Sequence, residues 1–207
     1  PCDGLVPEIR RNCDARRSGR RSSQGRPGKD WKGCEVLSTG VPRRVAVNAM
    51  DQPRMIKPGD TAPNFSIKDQ NDRTFDLLEQ SGKRVLFSFH PLAWTSFCAG
   101  QMKSLEENRE ALASLNTVAV GISVDSVPCK KAWAGSLGIT DTRLLCDFWP
   151  HGKVAQMYGI FRDANGFSER ANILVDGKQT VVFVKVYPIH SVPDIKEVLA
   201  FLGKLER

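Results

Sequence analysis

The sequence predicts an α/β fold, a central mixed β-sheet with helices on both faces. Three observations predict it. Short apolar runs alternate along the chain with segments of helical period, the β-α-β-α order of a parallel core. Two late apolar runs flank an Asp-Gly pair, the signature of an antiparallel hairpin. The last patterned segment is apolar along one stripe only, as a helix lying on a sheet must be.

The elements follow in order. Pro58-Gly59-Asp60-Thr61-Ala62-Pro63-Asn64 is rich in turn formers and leads into a short strand at Phe65–Ile67. Val85-Leu86-Phe87-Ser88-Phe89 and Val118-Ala119-Val120-Gly121-Ile122 read as buried strands, with Cys98, Met102, Leu105 and Leu112 marking a helix between them. A second helix is expected over Val127–Leu137 and a third over Val154–Tyr158, while Leu144-Leu145-Cys146 reads as a buried strand. Ile173–Val175 and Val181–Tyr187 flank Asp176-Gly177 and form the hairpin. Ile195, Val198, Leu199 and Leu202 then recur at helical spacing and close the chain.

Composition narrows the function classes. The 207 residues are 41% hydrophobic and 26% charged, the balance of an ordinary globular protein, and no apolar run reaches the ~18 residues of a membrane span. The net charge of +7 is unevenly placed: residues 1–49 hold eleven Lys and Arg against five Asp and Glu, whereas residues 50–207 are nearly neutral. The basic pI therefore says little about what the body binds. Residues 1–49, with Arg10, Arg11, Arg16, Arg17, Arg20, Arg21 and Arg26 among Ser, Gly and Pro, show no period and read as a basic disordered tail. A nucleic-acid arm is disfavoured by the single aromatic, Trp31, and a targeting peptide by the five acids. The chain opens on Pro, and Met50 and Met55 precede the first patterned segment, so the tail is either upstream translation or a solvated natural extension. The domain is taken as residues 50–207.

Six cysteines, at 2, 13, 34, 98, 129 and 146, form no C-x-x-C pair and are too sparse for a disulfide scaffold. No secretory apolar segment is read near the start, so a reducing cytoplasm is the expected compartment. His90, His151 and His190 are too scattered for a metal site and read as surface or packed residues; Trp94, Trp133 and Trp149 read as core or interface. Glycine-rich phosphate loops are absent, and no cofactor is expected.

One segment carries chemistry. Phe89-His90-Pro91-Leu92-Ala93-Trp94-Thr95-Ser96-Phe97-Cys98 runs from a strand into a helix, where first-turn amides and the helix dipole favour a thiolate nucleophile. Thr95 can aim its hydroxyl at whatever Cys98 attacks, and Pro91 fixes the backbone and helps wall the pocket from solvent. A buried structural cysteine is the competing reading.

Pro91-x-x-x-Thr95-x-x-Cys98 resembles the active-site signature of the peroxiredoxins, and the likeness runs from about Ile56 to Leu202. Pro63-Asn64-Phe65, Ser123-Val124-Asp125-Ser126 and Gly166-Phe167-Ser168-Glu169-Arg170 are similar to that family in the same order and spacing, nearest its AhpE-like or bacterioferritin-comigratory-protein-like forms. The resemblance implies a thioredoxin-like, peroxiredoxin-type fold and a thiol-dependent peroxidase acting on hydrogen peroxide or small organic hydroperoxides. It implies Cys98 as peroxidatic nucleophile, Thr95 and Pro91 as pocket partners, and Arg170 as the guanidinium completing the site. It also implies an external thiol reductant such as a thioredoxin or glutaredoxin-like protein, and it allows a homodimer. Gln101 stands where the family commonly has Glu, so the network orienting Arg170 is expected to lack a negative charge; Trp94 stands where Phe is usual. Lys103 occupies the family's resolving position five residues after the nucleophile, which excludes that arrangement; the resemblance implies Cys129, in the region where some atypical members keep a resolving cysteine and near a helix start that favours its thiolate, as the candidate resolving thiol. A one-Cys mechanism leads narrowly over a Cys98–Cys129 disulfide. The rival class is a thioredoxin-fold redox sensor or chaperone-like binding protein without efficient turnover.

Overall fold

The structure is a computed structural model and describes residues 54–205. The basic tail, its cysteines Cys2, Cys13 and Cys34, Trp31 and the proposed domain start at residue 50 lie outside the described residues.

Seven strands form one mixed sheet. Strands β1 (Ser66–Asp69) and β2 (Thr74–Asp76) make an N-terminal hairpin, β3 (Arg84–Phe89) and β4 (Thr117–Ser123) are the long apolar pair, and β5 (Arg143–Cys146) follows. After the two-residue strands β6 (Phe161–Arg162) and β7 (Phe167–Ser168), which pair only with each other, come β8 (Arg170–Val175) and β9 (Val181–Tyr187). The order across the sheet is β2-β1-β5-β4-β3-β8-β9, with β3, β4 and β5 parallel and β8 and β9 antiparallel to the neighbours before them. The connections within the parallel core are helical, as parallel neighbours require. They are α1 (Ser96–Glu107) with α2 (Arg109–Ser114), and α3 (Val127–Leu137); α4 (Lys153–Met157) and α5 (Ile195–Leu205) complete the set.

Period-2 alternation assigns the two faces. Val85, Phe87 and Phe89 of β3 and Ala171, Ile173 and Val175 of β8 join Phe65, Phe75 and Tyr158 in an aromatic-rich layer under α4. Leu86 and Leu174 face the other way and pack with Met102 and Leu105 of α1, Trp133 of α3, and Val198 and Leu202 of α5. Helices thus lie on both faces, but four of the five share one. Close approach there depends on Gly121, since a Cβ on it would sit 2.2 Å from the Met102 sulfur.

Several details differ from the sequence expectations. The single helix expected through Leu112 breaks at Asn108, whose side-chain amide donates to the Ser104 carbonyl and competes with the helical ladder. β2, β6 and β7 are too short to show a period. The β8–β9 hairpin forms, but the left-handed residue in its turn is Gln179, at φ 66°. Gly177 is needed for a different reason: its Cβ position lies 3.0 Å from the Gly82 backbone, which donates to the Gly177 carbonyl. Trp133 is core as expected, but Trp94 and Trp149 are exposed, so for them the core half of that expectation fails. An indole at a loop tip carries no periodicity that would place it.

Candidate functional site

The site forms where β3 ends. His90 N–H extends the parallel ladder to Ile122 O, and the buried Pro91 then turns the chain away from the sheet. Asp125, just past β4, holds the returning loop: its carboxylate accepts from the Ala93 amide at 2.8 Å and from the Ser123 hydroxyl at 2.5 Å. Trp94 takes a left-handed conformation, φ 65°, uncommon for a bulky side chain, and Thr95 becomes the N-cap of α1. Cys98 is the third residue of that helix and is fully buried.

Arg170 enters from the first residue of β8 and is itself buried. Its guanidinium uses its whole fork. Nη2 donates to Cys98 Sγ at 3.4 Å and to Ile189 O at 2.8 Å, Nε donates to Ile189 O at 3.1 Å, and Nη1 donates to Gln101 Oε1. A planar cation is thereby fixed beside the sulfur. Gln101 is one turn along α1 from Cys98, and its Nε2 donates to Ser88 Oγ at 2.7 Å and to Phe89 O at 3.1 Å. The expected loss of a charge at position 101 is therefore compensated, because an amide accepts from Arg170 and also donates, which a carboxylate cannot do.

The structure brings Cys98 and Arg170 together and sets Pro91 in the wall of the same loop. Thr95 is at the mouth of the helix, but its hydroxyl donates to Leu92 O at 3.2 Å and not to the sulfur. Cys129 lies on α3, the neighbouring helix, with its thiol toward Asp125 Oδ1 at 3.7 Å and the Trp94 indole acting on it from the loop. Burial, reinforced by the Asp125 charge, pushes the Cys129 thiol up, which corrects the expectation that its helix start favours a thiolate. Burial likewise pushes Cys146, at the end of β5, up to about 11.

Two residues escaped sequence reasoning. Lys130 of α3 is fully buried, and its Nζ lies 3.0 Å from His90 Nε2 and 5.7 Å from the Trp133 ring centroid. Burial brings this lysine down to about 8, and the charges of Asp125, Cys146 and Cys98 act against that fall. His90, also buried, is held far below the usual imidazole range by burial and by Lys130, so it is neutral and its Nε2 accepts from the ammonium. His90 Nδ1 finds no hydrogen bond of standard geometry, its interaction with the Ser88 backbone falling short of one. A second Lys follows at once in α3, so nothing in the sequence marks Lys130 as the inward one. Among the described residues, no cluster of three His, Cys, Asp or Glu side chains could hold a metal ion.

Comparison with known proteins gives a consistent result. The AhpC/TSA family profile matches residues 58–184. Alkyl hydroperoxide reductase E of Mycobacterium tuberculosis is 38% identical over 133 residues, covering 64% of this chain and 86% of that protein. Thioredoxin peroxidase of Fasciola hepatica is 29% identical over 133 residues, 60% of this chain and 68% of the relative. Among solved structures, the reduced 2-Cys peroxiredoxin of Plasmodium vivax superposes with a TM-score of 0.65 at 25% identity, over 73% of this chain and 82% of its own. AhpC of Enterococcus faecalis shares the fold, with a TM-score of 0.68 at 21% identity over 73% of this chain and 93% of its own.

Proposed function

Because the chain belongs to the AhpC/TSA family, and is a thiol-dependent peroxidase of the peroxiredoxin type, we infer that Cys98 is its peroxidatic nucleophile and Arg170 the cation that serves it. The contact of 3.4 Å between Arg170 Nη2 and Cys98 Sγ carries this reading. The thiolate attacks the distal oxygen of hydrogen peroxide or a small organic hydroperoxide. The S–O bond forms as the O–O bond breaks, sulfur loses two electrons, and the departing oxygen takes a proton to leave as water or alcohol. Arg170 favours the thiolate beforehand and meets the negative charge that develops on the departing oxygen. Pro91 and the Thr95 cap hold the approach. A sensor without turnover needs only an accessible thiolate, whereas here the thiol is buried beneath a fully anchored guanidinium.

Resolution of the sulfenic acid falls to an external thiol, such as a thioredoxin or glutaredoxin-like protein. Its sulfur attacks Cys98 Sγ and releases water, and a second thiol of the reductant then frees Cys98 as a disulfide leaves. Support for this one-Cys route comes from Cys129, whose thiol is engaged by Asp125 and Trp94 and disfavoured as thiolate.

The experiment is peroxide consumption by wild type and Cys98→Ser, with peptide mapping of the wild-type chain after one equivalent of peroxide. Loss of activity in the variant and a sulfenic acid at Cys98 are expected. Full activity in Cys98→Ser removes the nucleophile assignment, and a quantitative Cys98–Cys129 disulfide replaces the one-Cys route by an internal one.

A further inference from the structure

The polar contacts of Arg170 do not end at Gln101. Gln101 Nε2 donates to Ser88 Oγ at 2.7 Å, and Ser88 Oγ donates to Asn172 Oδ1 at 2.8 Å. The Asn172 side chain approaches the Tyr187 hydroxyl without a hydrogen bond of standard geometry, and Tyr187 donates to Glu197 Oε2 at 3.0 Å. Glu197 closes the chain with Lys185, whose Nζ lies 2.6 Å from the same oxygen. The fold makes this line possible: Arg170 pairs with Tyr187, and Asn172 with both Ser88 and Lys185, so all five side chains leave one face of the sheet.

Past Arg170 the links run one way. Arg170 donates inward to Cys98 Sγ and outward to Gln101, and from Gln101 the donors point outward through Ser88 to Asn172, and from Tyr187 to a carboxylate on α5. A chain of consistent direction polarises each member in favour of the next. Ser88, Gln101, Asn172 and Arg170 are all at most 2% exposed, on a sheet face otherwise packed with leucine, methionine and valine. Buried polar groups are costly in such a place, and apolar residues would fill it for less. The arrangement is explained if the line of bonds serves the arginine.

We propose that Tyr187 and Glu197 are positioning residues for Arg170, acting through Asn172, Ser88 and Gln101 to fix the guanidinium against Cys98 and so to set how readily the thiolate forms and attacks peroxide. The proposal rests on Cys98 being the peroxidatic thiol. Neither Tyr187 nor Glu197 is hydrogen-bonded to Cys98 or to Arg170 itself. Lys185, and then Tyr187, hold the Glu197 carboxyl below its ordinary range, so the outer end is anionic at neutral pH. Burial, then Glu197, pushes the Tyr187 phenol up, so the hydroxyl remains a donor, with Asp194 the further charge acting on it. Lys130 of α3 and the neutral His90, just past the end of β3, approach the site and are outside this line of bonds.

The test is the pH–rate profile of peroxide reduction by the full chain, measured for wild type, Tyr187→Phe, Gln101→Leu and the double variant. Tyr187→Phe removes one oxygen and is expected to lower the second-order rate constant about 3- to 10-fold, the equivalent of one ordinary hydrogen bond. It is also expected to move the profile midpoint to higher pH. The two losses are expected to be less than additive, since either substitution severs the same line. Glu197→Gln, at a half-exposed position that tolerates change, is expected to shift the profile in the same direction by a smaller amount, and it stands in if Tyr187→Phe fails to fold. An unchanged rate and midpoint, even with a lowered melting temperature, would show a merely structural role and overturn the proposal, as would additive losses. If Cys98→Ser consumes peroxide, the nucleophile assignment fails instead, which separates the two outcomes.

Discussion

Arg170 illustrates how much a single side chain does here through shape. Four of its contacts need a planar fork: two to Ile189 O, one to Gln101 and one to Cys98. Lysine keeps the charge but offers one point of attachment on a flexible stem. We expect Arg170→Lys to reduce the second-order rate constant by about 10²-fold, the cost of losing a well-placed donor to developing negative charge. Stopped-flow kinetics at a single pH reads this directly, and a rate within about 2-fold of wild type would put Arg170 outside the reaction. At this scale the sequence was informative wherever position implies chemistry. A cysteine three residues into a helix that follows a strand and a proline is legible, because the dipole and the turn are local facts. Lys130 and His90 are not, because their meaning lies in which neighbours the fold closes around them. Thr95 sits between the two cases: its place at the helix mouth was legible, but the direction of its hydroxyl was not.

Helix α1 shows what an element can carry beyond its buried stripe. Glu106 lies in its last turn, where the helix dipole disfavours an acid. It nevertheless serves the fold, because Oε1 accepts from the Thr140 and Asp141 amides and Oε2 from the Thr142 amide, pinning the segment before β5. Burial pushes this carboxyl up, but the bonds from Thr142, Thr140 and Asp141 outweigh it and hold it at about 2. A carboxyl held below its unfolded value of about 4.5 contributes stability that is complete above that pH and lost as pH falls toward 2. Glu106→Ala is therefore expected to destabilise the protein by about 1–2 kcal/mol near pH 7, comparable to losing a helix cap. Denaturant melts across pH should show the gap from wild type narrowing below pH 4.5; a constant gap would mean that the carboxylate charge is not what holds the loop. The main elements were legible because β3, β4, β8 and α5 each have enough residues to display a period. The break at Asn108 and the hairpins of two- and three-residue strands were not, since side-chain competition and pairing decide them.

Across the sheet, one face is apolar and aromatic while the other carries a polar seam among its helices. Sequence alternation revealed that both faces are buried, but not that four helices would crowd onto the seam side. Within that crowd Arg170 and Lys130 are both fully enclosed cations, and Asp125 and Cys98 are among the groups whose charges act on Lys130. Removing an anion from such an enclosure leaves a charge uncompensated, which is costly at low dielectric. On the proposed mechanism, conversion of a Cys98 thiolate to a neutral sulfenic acid does this, and further oxidation to the sulfinate puts an anion back. Thermal unfolding should thus be non-monotonic in oxidation: a melting temperature a few degrees lower for the sulfenic form than for the thiolate form, and recovery in the sulfinic form. Calorimetry on samples whose Cys98 state is fixed by mass would detect it, and a steady decline through both steps would contradict it. The buried cation pair then makes heat tolerance a gauge of oxidation number, with the working intermediate as the softest state of the cycle and its irreversibly oxidised product as a firm one.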